Sequence, residues 1–230
     1  FVPSNTENLV YVFDSETQQQ VSAVPTDDWP YFVVRDDTRV YASNVYGREI
    51  TVIDAVTGAH EADVRVGDFP WGVASYEGTL YTSFFTANDP YVQMTEMGTW
   101  TQAGTFDGES GPDQITGAGG YVYMINGRSM FDGSDDALSV HELDGTLVTR
   151  LEGIGRGMYS LASHTNGKVY VTATDDDLVV EVDPAVQQAT ATFATGPAPN
   201  GIASMGPYLF VADRDGPSVT VIDPDAGQTW

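Results

Sequence analysis

The sequence contains no cysteine. Disulfide frameworks, thiolate metal sites and cysteine nucleophiles are therefore excluded. Lysine is nearly missing as well: of nine basic residues eight are arginine, and the remaining one is Lys168. No apolar run approaches the ~18 residues that a membrane span needs, so membrane insertion is not expected. The first residues lack the basic, apolar, small-residue pattern of a signal peptide, as in a mature chain. No stretch carries a 3.6-residue apolar period long enough for a helix. Phosphate loops and dinucleotide fingerprints, which need a strand-to-helix turn, are unsupported for that reason.

What the chain does have is acid. Its 230 residues hold 33 acidic and 9 basic side chains, a net charge of −24, with 23 Asp and 10 Glu. Apolar residues at 41% and aromatics at 11% still suffice for a core, which excludes a disordered chain. An all-β chain of this length can fold as one domain, here residues 1–230. A polyanion gains nothing from counterion release, so nucleic acid is excluded as a partner, and anionic membrane surfaces are disfavoured. At low ionic strength such a surface repels itself. Molar salt shortens the screening length to ~3 Å and removes that penalty. Acid-rich, lysine-poor composition resembles proteins of salt-loving organisms.

A repeat runs through the chain. Aromatic residues at the end of short apolar strands fall at Phe1, Tyr41, Tyr81, Tyr123, Tyr170 and Phe210, at steps of 40, 40, 42, 47 and 40. Acids that close the following strand fall at Asp14, Asp54, Asp144, Asp183 and Asp223; the third repeat lacks this Asp, and Met97 is its nearest equivalent. A Pro or Gly opens the next strand at Pro30, Pro70, Pro112, Gly157 and Pro199. Three markers keep one period.

Each period reads as four strands. Tyr31 to Val34 is an apolar run, as in a buried inner strand. Arg39 to Ser43 follows a turn, Glu49 to Asp54 alternates, and Ala59 to Val66 is polar, as an outer edge should be. Four strands in about 40 residues predict a propeller blade, all-β and antiparallel. One blade cannot cover its own two faces; packing blades side by side buries both. Aromatics at the repeated second-strand position are expected to fill the space between blades. Six second-plus-third strand units against five inner strands predict six blades, the first and last incomplete. About twenty closing residues beyond 230, or a larger parent ring, would complete them.

The same residues carry a resemblance. Tyr41-Ala42-Ser43-Asn44, Val52-Ile53-Asp54 and Gly67-Asp68-Phe69-Pro70 are similar to the Tyr-Val-Thr-Asn, Val-Ile-Asp and Gly-x-x-Pro elements of YVTN-repeat β-propellers, which include archaeal surface-layer proteins. Tyr170-Val171-Thr172-Ala173 with Val182-Asp183, and Phe210-Val211-Ala212-Asp213 with Val221-Ile222-Asp223, repeat the likeness. Residues 88–111 and 128–157 depart from it. The resemblance implies ligand binding at the mouth of a central channel, where inner-strand entry loops meet loops between second and third strands. The residues it singles out are Trp29, Tyr31, Trp71, Asp113, Asn126, Arg128, Arg156 and Asn200. They describe a shallow pocket with aromatic walls and two guanidinium donors; packing between blades is the alternative use of the tryptophans.

Other chemistry has thin support. Asp132, Asp135 and Asp136 are weak Ca²⁺ candidates, because calcium takes six to eight oxygens, but their spacing is not that of an EF-hand loop. No other cofactor is expected. His60, His141 and His164 are scattered, and no serine has an evident His-Asp partner. The expected function is a non-enzymatic extracellular or cell-surface propeller of a salt-adapted organism, binding a protein or glycan. An unclosed blade edge would offer a pairing site for another strand or chain. The alternative is a propeller enzyme, a metal-dependent lactonase or lyase or a quinoprotein-type oxidoreductase subunit. Asp113, Asn126 and Asn200 would then converge at the channel.

Overall fold

A computed structural model describes residues 1–14, 16–84, 90–109, 111–126 and 136–230. Among them there is no helix, hence none long and apolar enough to cross a membrane. The chain is all-β and its strands form six antiparallel sheets, the blades of a β-propeller. It divides into two compact units, Phe1–Gly108 and Glu109–Trp230.

The first unit holds three sheets. β1 (Val2–Ser4), β2 (Leu9–Phe13) and β3 (Gln20–Pro25) form a three-stranded one. β4 (Pro30–Arg35), β5 (Arg39–Asn44), β6 (Glu49–Asp54) and β7 (His60–Arg65) form the second. β8 (Pro70–Tyr76), β9 (Thr79–Phe84), β10 (Tyr91–Glu96) and β11 (Thr101–Asp107) form the third. The second unit holds three four-stranded sheets. They are β12 (Ile115–Ala118) to β15 (Leu147–Glu152) through β13 (Tyr121–Asn126) and β14 (Ala137–His141); β16 (Met158–Ser163) to β19 (Gln188–Ala194) through β17 (Val169–Ala173) and β18 (Leu178–Asp183); and β20 (Pro199–Met205) to β23 (Gln228–Thr229) through β21 (Tyr208–Asp213) and β22 (Val219–Asp223). The first sheet has three strands; the last, expected to be incomplete, has four, with β23 only two residues long.

Four of the six repeated aromatics are buried as their spacing predicts, while Phe1 and Phe210 are half-buried. Tyr41, Tyr81, Tyr123 and Tyr170 are each 0–1% exposed. Tyr41 joins Ile50, Val52, Val64, Val73, Leu80 and Phe84 in a core shared by the second and third sheets. Tyr123 joins Leu138, Met158, Val171 and Val180 in the core of the fourth and fifth. Tyr170 packs with Phe193, Leu209 and Ile222 between the fifth and sixth. Burying side chains of this size contributes about 2–3 kcal/mol each. β4 differs from its expectation: Tyr31 to Val34 are half-buried or exposed rather than fully buried. A first strand has only one neighbour in its own sheet, so its cover depends on what packs over it.

The repeated acids are turn caps. Asp54 Oδ1 accepts from the N–H of Val56 (3.0 Å) and Thr57 (2.7 Å) and from Thr57 Oγ1 (2.8 Å). Asp14 repeats this with Glu16 and Thr17, and Asp183 and Asp223 cap Ala185 and Ala226. A short carboxylate side chain satisfies turn N–H groups that the ladder leaves open. In the third blade the residue in this place is Glu96, whose Oε2 accepts from Thr99 Oγ1 at 2.9 Å, not Met97. In the fourth, Asp144 lies inside the turn and caps Thr146 N–H at 2.9 Å.

Candidate functional site

The loops that enter the first strand of each blade share one backbone device. The residue just before the entry is left-handed in every case: Trp29 (φ 63°), Phe69 (φ 59°), Gly111 (φ 78°), Gly157 (φ 64°) and Ala198 (φ 54°). Among the described residues, its N–H, or that of the next residue, is clamped by a side chain from the preceding blade in three of them. Asn8 Oδ1 accepts from Trp29 (3.1 Å), Asp136 Oδ2 from Met158 (3.0 Å) and Asp177 Oδ1 from Ala198 (2.8 Å). The entry loop also meets the loop between second and third strands of its own blade, as expected. Val45 N–H donates to Trp29 C=O at 2.9 Å, Thr174 N–H to Gly157 C=O at 3.1 Å, and Arg214 N–H to Ala198 C=O at 3.0 Å.

In the first unit this arrangement gathers aromatic rings. Tyr31 stacks on Trp71 with ring centres 5.2 Å apart and an interplanar angle of 24°. Phe32 meets both edge-on, at 4.8 and 5.5 Å. Trp29 packs edge-on against Tyr46 at 5.3 Å, and Tyr46 against Phe69 at 6.2 Å. Much of this surface is open to water: Tyr46 is 59%, Phe69 48% and Tyr31 36% exposed. Of the residues expected to wall a pocket, Tyr31 and Trp71 stack on each other, and Trp29 belongs to a second group with Tyr46 and Phe69. Phe32 and Tyr46 are not among the residues that the repeat singles out. Phe32 looked like core, and Tyr46 lies in a tight loop whose fold alone turns it between Trp29 and Phe69.

The residues expected in the second unit are used differently. Asp113 (3% exposed) and Asn126 (1%) are buried. Asn126 Nδ2 donates to Ser139 Oγ at 2.5 Å and Glu109 Oε2 at 3.1 Å, and among the described residues its Oδ1 has no partner. Arg156 is spent on Asp176, with Nε to Oδ1 at 2.8 Å and its N–H to Oδ2 at 2.8 Å, an ion pair that holds Asp176 below the usual carboxylate range. Asn200 is half-buried, and its C=O accepts from Thr172 Oγ1 at 2.9 Å. Arg128, Asp132 and Asp135 lie outside the described residues. Asp136 clamps Met158, and among the described residues no three His, Asp or Glu are grouped to hold a metal ion.

The histidines are apart in use as well. His60 pairs with Asp63 at the surface, while His164 lies edge-on to Tyr170. His141 is 2.9 Å from Ser139 Oγ through Nε2 and 3.1 Å from Gly145 C=O through Nδ1. With Nδ1–H donating to that carbonyl, Nε2 accepts from the serine, a nucleophile-like pair that the sequence did not reveal. Ser139 and His141 are 0% and 1% exposed, so the pair belongs to a buried polar row with Asn126 rather than to a surface that a substrate reaches. The first unit also has an open cleft of about 890 Å³ lined by Arg65, Tyr91, Gln93, Gln102, Phe106 and Asp107.

No protein-family model and no curated protein matches this sequence. Among solved structures the chain is similar to a functionally unknown protein of Desulfotomaculum acetoxidans (TM-score 0.78, 12% identity, 100% of this chain and 77% of that one). It is also similar to the hydrazine synthase of Kuenenia stuttgartiensis (TM-score 0.75, 16% identity, 95% and 78%). A third likeness is to a protein of unknown function from Bacteroides caccae (TM-score 0.70, 11% identity, 94% and 86%). At these identities the likeness shows the fold alone, and the fold hosts unrelated activities.

Proposed function

We propose that the chain is a non-enzymatic binding protein, one propeller domain of the YVTN-repeat kind, working outside the cell or at its surface in a salt-adapted organism. One observation carries the binding role: the water-exposed rings of Tyr31 on β4, Tyr46 in the β5–β6 loop and Phe69 in the entry loop of β8, all in the first unit. Large aromatics left in water on fixed backbone are the usual anchors of recognition surfaces. The net charge of −24 and the single lysine support the salt-adapted setting. The repeated Tyr, Asp and Pro markers support the repeat kind.

The test is binding to peptide and oligosaccharide arrays in molar KCl, comparing wild type with Tyr46→Ala. Ligands retained by wild type and lost by the variant support a binding face at these loops. An array with no ligand that depends on Tyr46 overturns it.

A further inference from the structure

The five entry loops solve the same backbone problem with different residues. In the second unit the left-handed position holds Gly111, Gly157 or Ala198, residues that take a positive φ at little or modest cost. In the first unit it holds Trp29 and Phe69, bulky residues for which a positive φ is a true outlier. Glycine meets this backbone demand at least cost. The aromatic side chains are therefore kept for what they present, and outliers of this kind collect at ligand clamps.

What surrounds them is acidic. Asp27 and Asp28 immediately precede Trp29, and Asp68 immediately precedes Phe69. Asp28 and Asp68 are exposed; Arg48 engages both oxygens of Asp68, with Nε 2.6 Å from Oδ1 and Nη2 3.3 Å from Oδ2, while Asp28 Oδ1 accepts only from the neutral Asn8 Nδ2, at 3.3 Å, among the described contacts. Three carboxylates against one guanidinium leave the rim negative. An aromatic face with a negative rim selects an organic cation, because ring faces and carboxylates attract the same charge. The first unit already holds a guanidinium in this way. Arg39 is gripped by the Glu61 carboxylate at 2.5–2.9 Å and lies over the Trp100 ring, 5.6 Å from its centre.

We infer that Trp29, Tyr46 and Phe69, with Asp28, form a docking site for arginine side chains of a partner peptide. This rests on the binding role proposed above and gives its partner a chemistry. Ring contact matters because molar salt screens exposed charge pairs beyond ~3 Å, whereas stacking of a weakly hydrated guanidinium on a ring is a close contact that screening reaches least.

The experiment titrates the whole chain in molar KCl with a blocked peptide of four Gly-Arg repeats, its Gly-Lys counterpart and an uncharged chito-oligosaccharide. Calorimetry reads affinity, and thermal melting confirms the fold of each variant. Phe69→Gly keeps the left-handed backbone that Gly111 and Gly157 already use, and Tyr46→Ala removes an exposed ring, so neither variant is expected to unfold the chain. The arginine peptide is expected to bind wild type about tenfold more tightly than the lysine peptide, and each variant to lose about tenfold. Equal binding of the two peptides, or affinity unchanged in both variants, overturns the inference. Tyr46-dependent binding of the oligosaccharide in place of the peptide also overturns it but leaves the binding role standing. No binding of any probe counts against the inference, and the arrays decide the broader role separately.

Discussion

Lys168, the one lysine of the chain, places its Nζ 2.5 Å from Oε1 of Glu181, a carboxylate only 4% exposed. Tyr170 OH, at 2.9 Å, and Thr190 Oγ1, at 2.6 Å, donate to the same carboxylate. Burial favours the neutral acid, but the three donors together outweigh it and hold Glu181 below its ordinary range. The carboxylate thereby anchors β17 and β19 to β18.

Removing the cation should leave a buried charge short of a partner. Lys168→Met is expected to lower stability by about 2–3 kcal/mol. The double variant Lys168→Met/Glu181→Leu should recover much of that loss, because the charge to be desolvated is gone too. Chemical denaturation in molar KCl measures both. A double variant as unstable as the sum of the single ones would mean that the two residues do not act as a pair.

The pH profile has a definite sign. Glu181 and Asp36 both titrate below their ordinary values: burial opposes this, and for Asp36 the N–H groups of Thr38 and Arg39 and the Tyr41 hydroxyl outweigh it. A carboxyl whose folded pKa is depressed stabilises fully above its unfolded value of about 4 and loses that contribution as pH falls through the folded value. Lys168 is raised, chiefly by its hydrogen bond to Glu181, so its contribution is lost only as pH rises past 10.5. The melting temperature should be level between about pH 5.5 and 9.5 and fall below about pH 4.5. Glu181→Gln should make the acid limb shallower. Molar salt isolates this effect from relief of self-repulsion on protonation.

The hydroxyls of the buried tyrosines are not equivalent. Tyr41 OH donates to Asp36 Oδ2 at 2.7 Å, and Ser75 of the next blade shares that oxygen at 3.1 Å. Burial and the neighbouring carboxylate push the Tyr41 phenol well above its usual range. Tyr41→Phe is expected to cost about 1–2 kcal/mol through the hydrogen bond lost from Asp36, which keeps Ser75 on the same oxygen, and Tyr41→Ala about 3–5 kcal/mol through the cavity. Equal costs for the two would assign the whole effect to the hydroxyl.

Salt should stabilise the fold steeply. With a net charge of −24, self-repulsion falls as ionic strength rises, and the melting temperature should climb from millimolar to molar KCl. A flat profile would remove the support for a salt-adapted setting.

The period of about 40 residues made the blades legible, because a four-stranded repeat writes its aromatic, acid and Pro markers into the chain at fixed spacing. Spacing alone placed Tyr41, Tyr81, Tyr123 and Tyr170, and each is buried where a blade needs filling. Asp54 and its counterparts were legible as markers, yet their work as turn caps needed the hydrogen-bond geometry. Glu96 stands one residue nearer the period than Met97, so its residue type, Glu in place of Asp, hid it rather than its spacing. The repeat marked the loops that carry Trp29, Tyr31 and Trp71 but not the ring contacts they make, and it did not show that Asp113 and Asn126 are buried.

Local sequence determined which segments are strands and which residues turn the chain, because those preferences act over a few residues. Only the tertiary structure decided which polar groups are consumed internally, as Arg156 is by Asp176, and which rings remain in water, as Tyr46 does between Trp29 and Phe69. Exposure is set by what distant segments cover, and no spacing in the sequence records that.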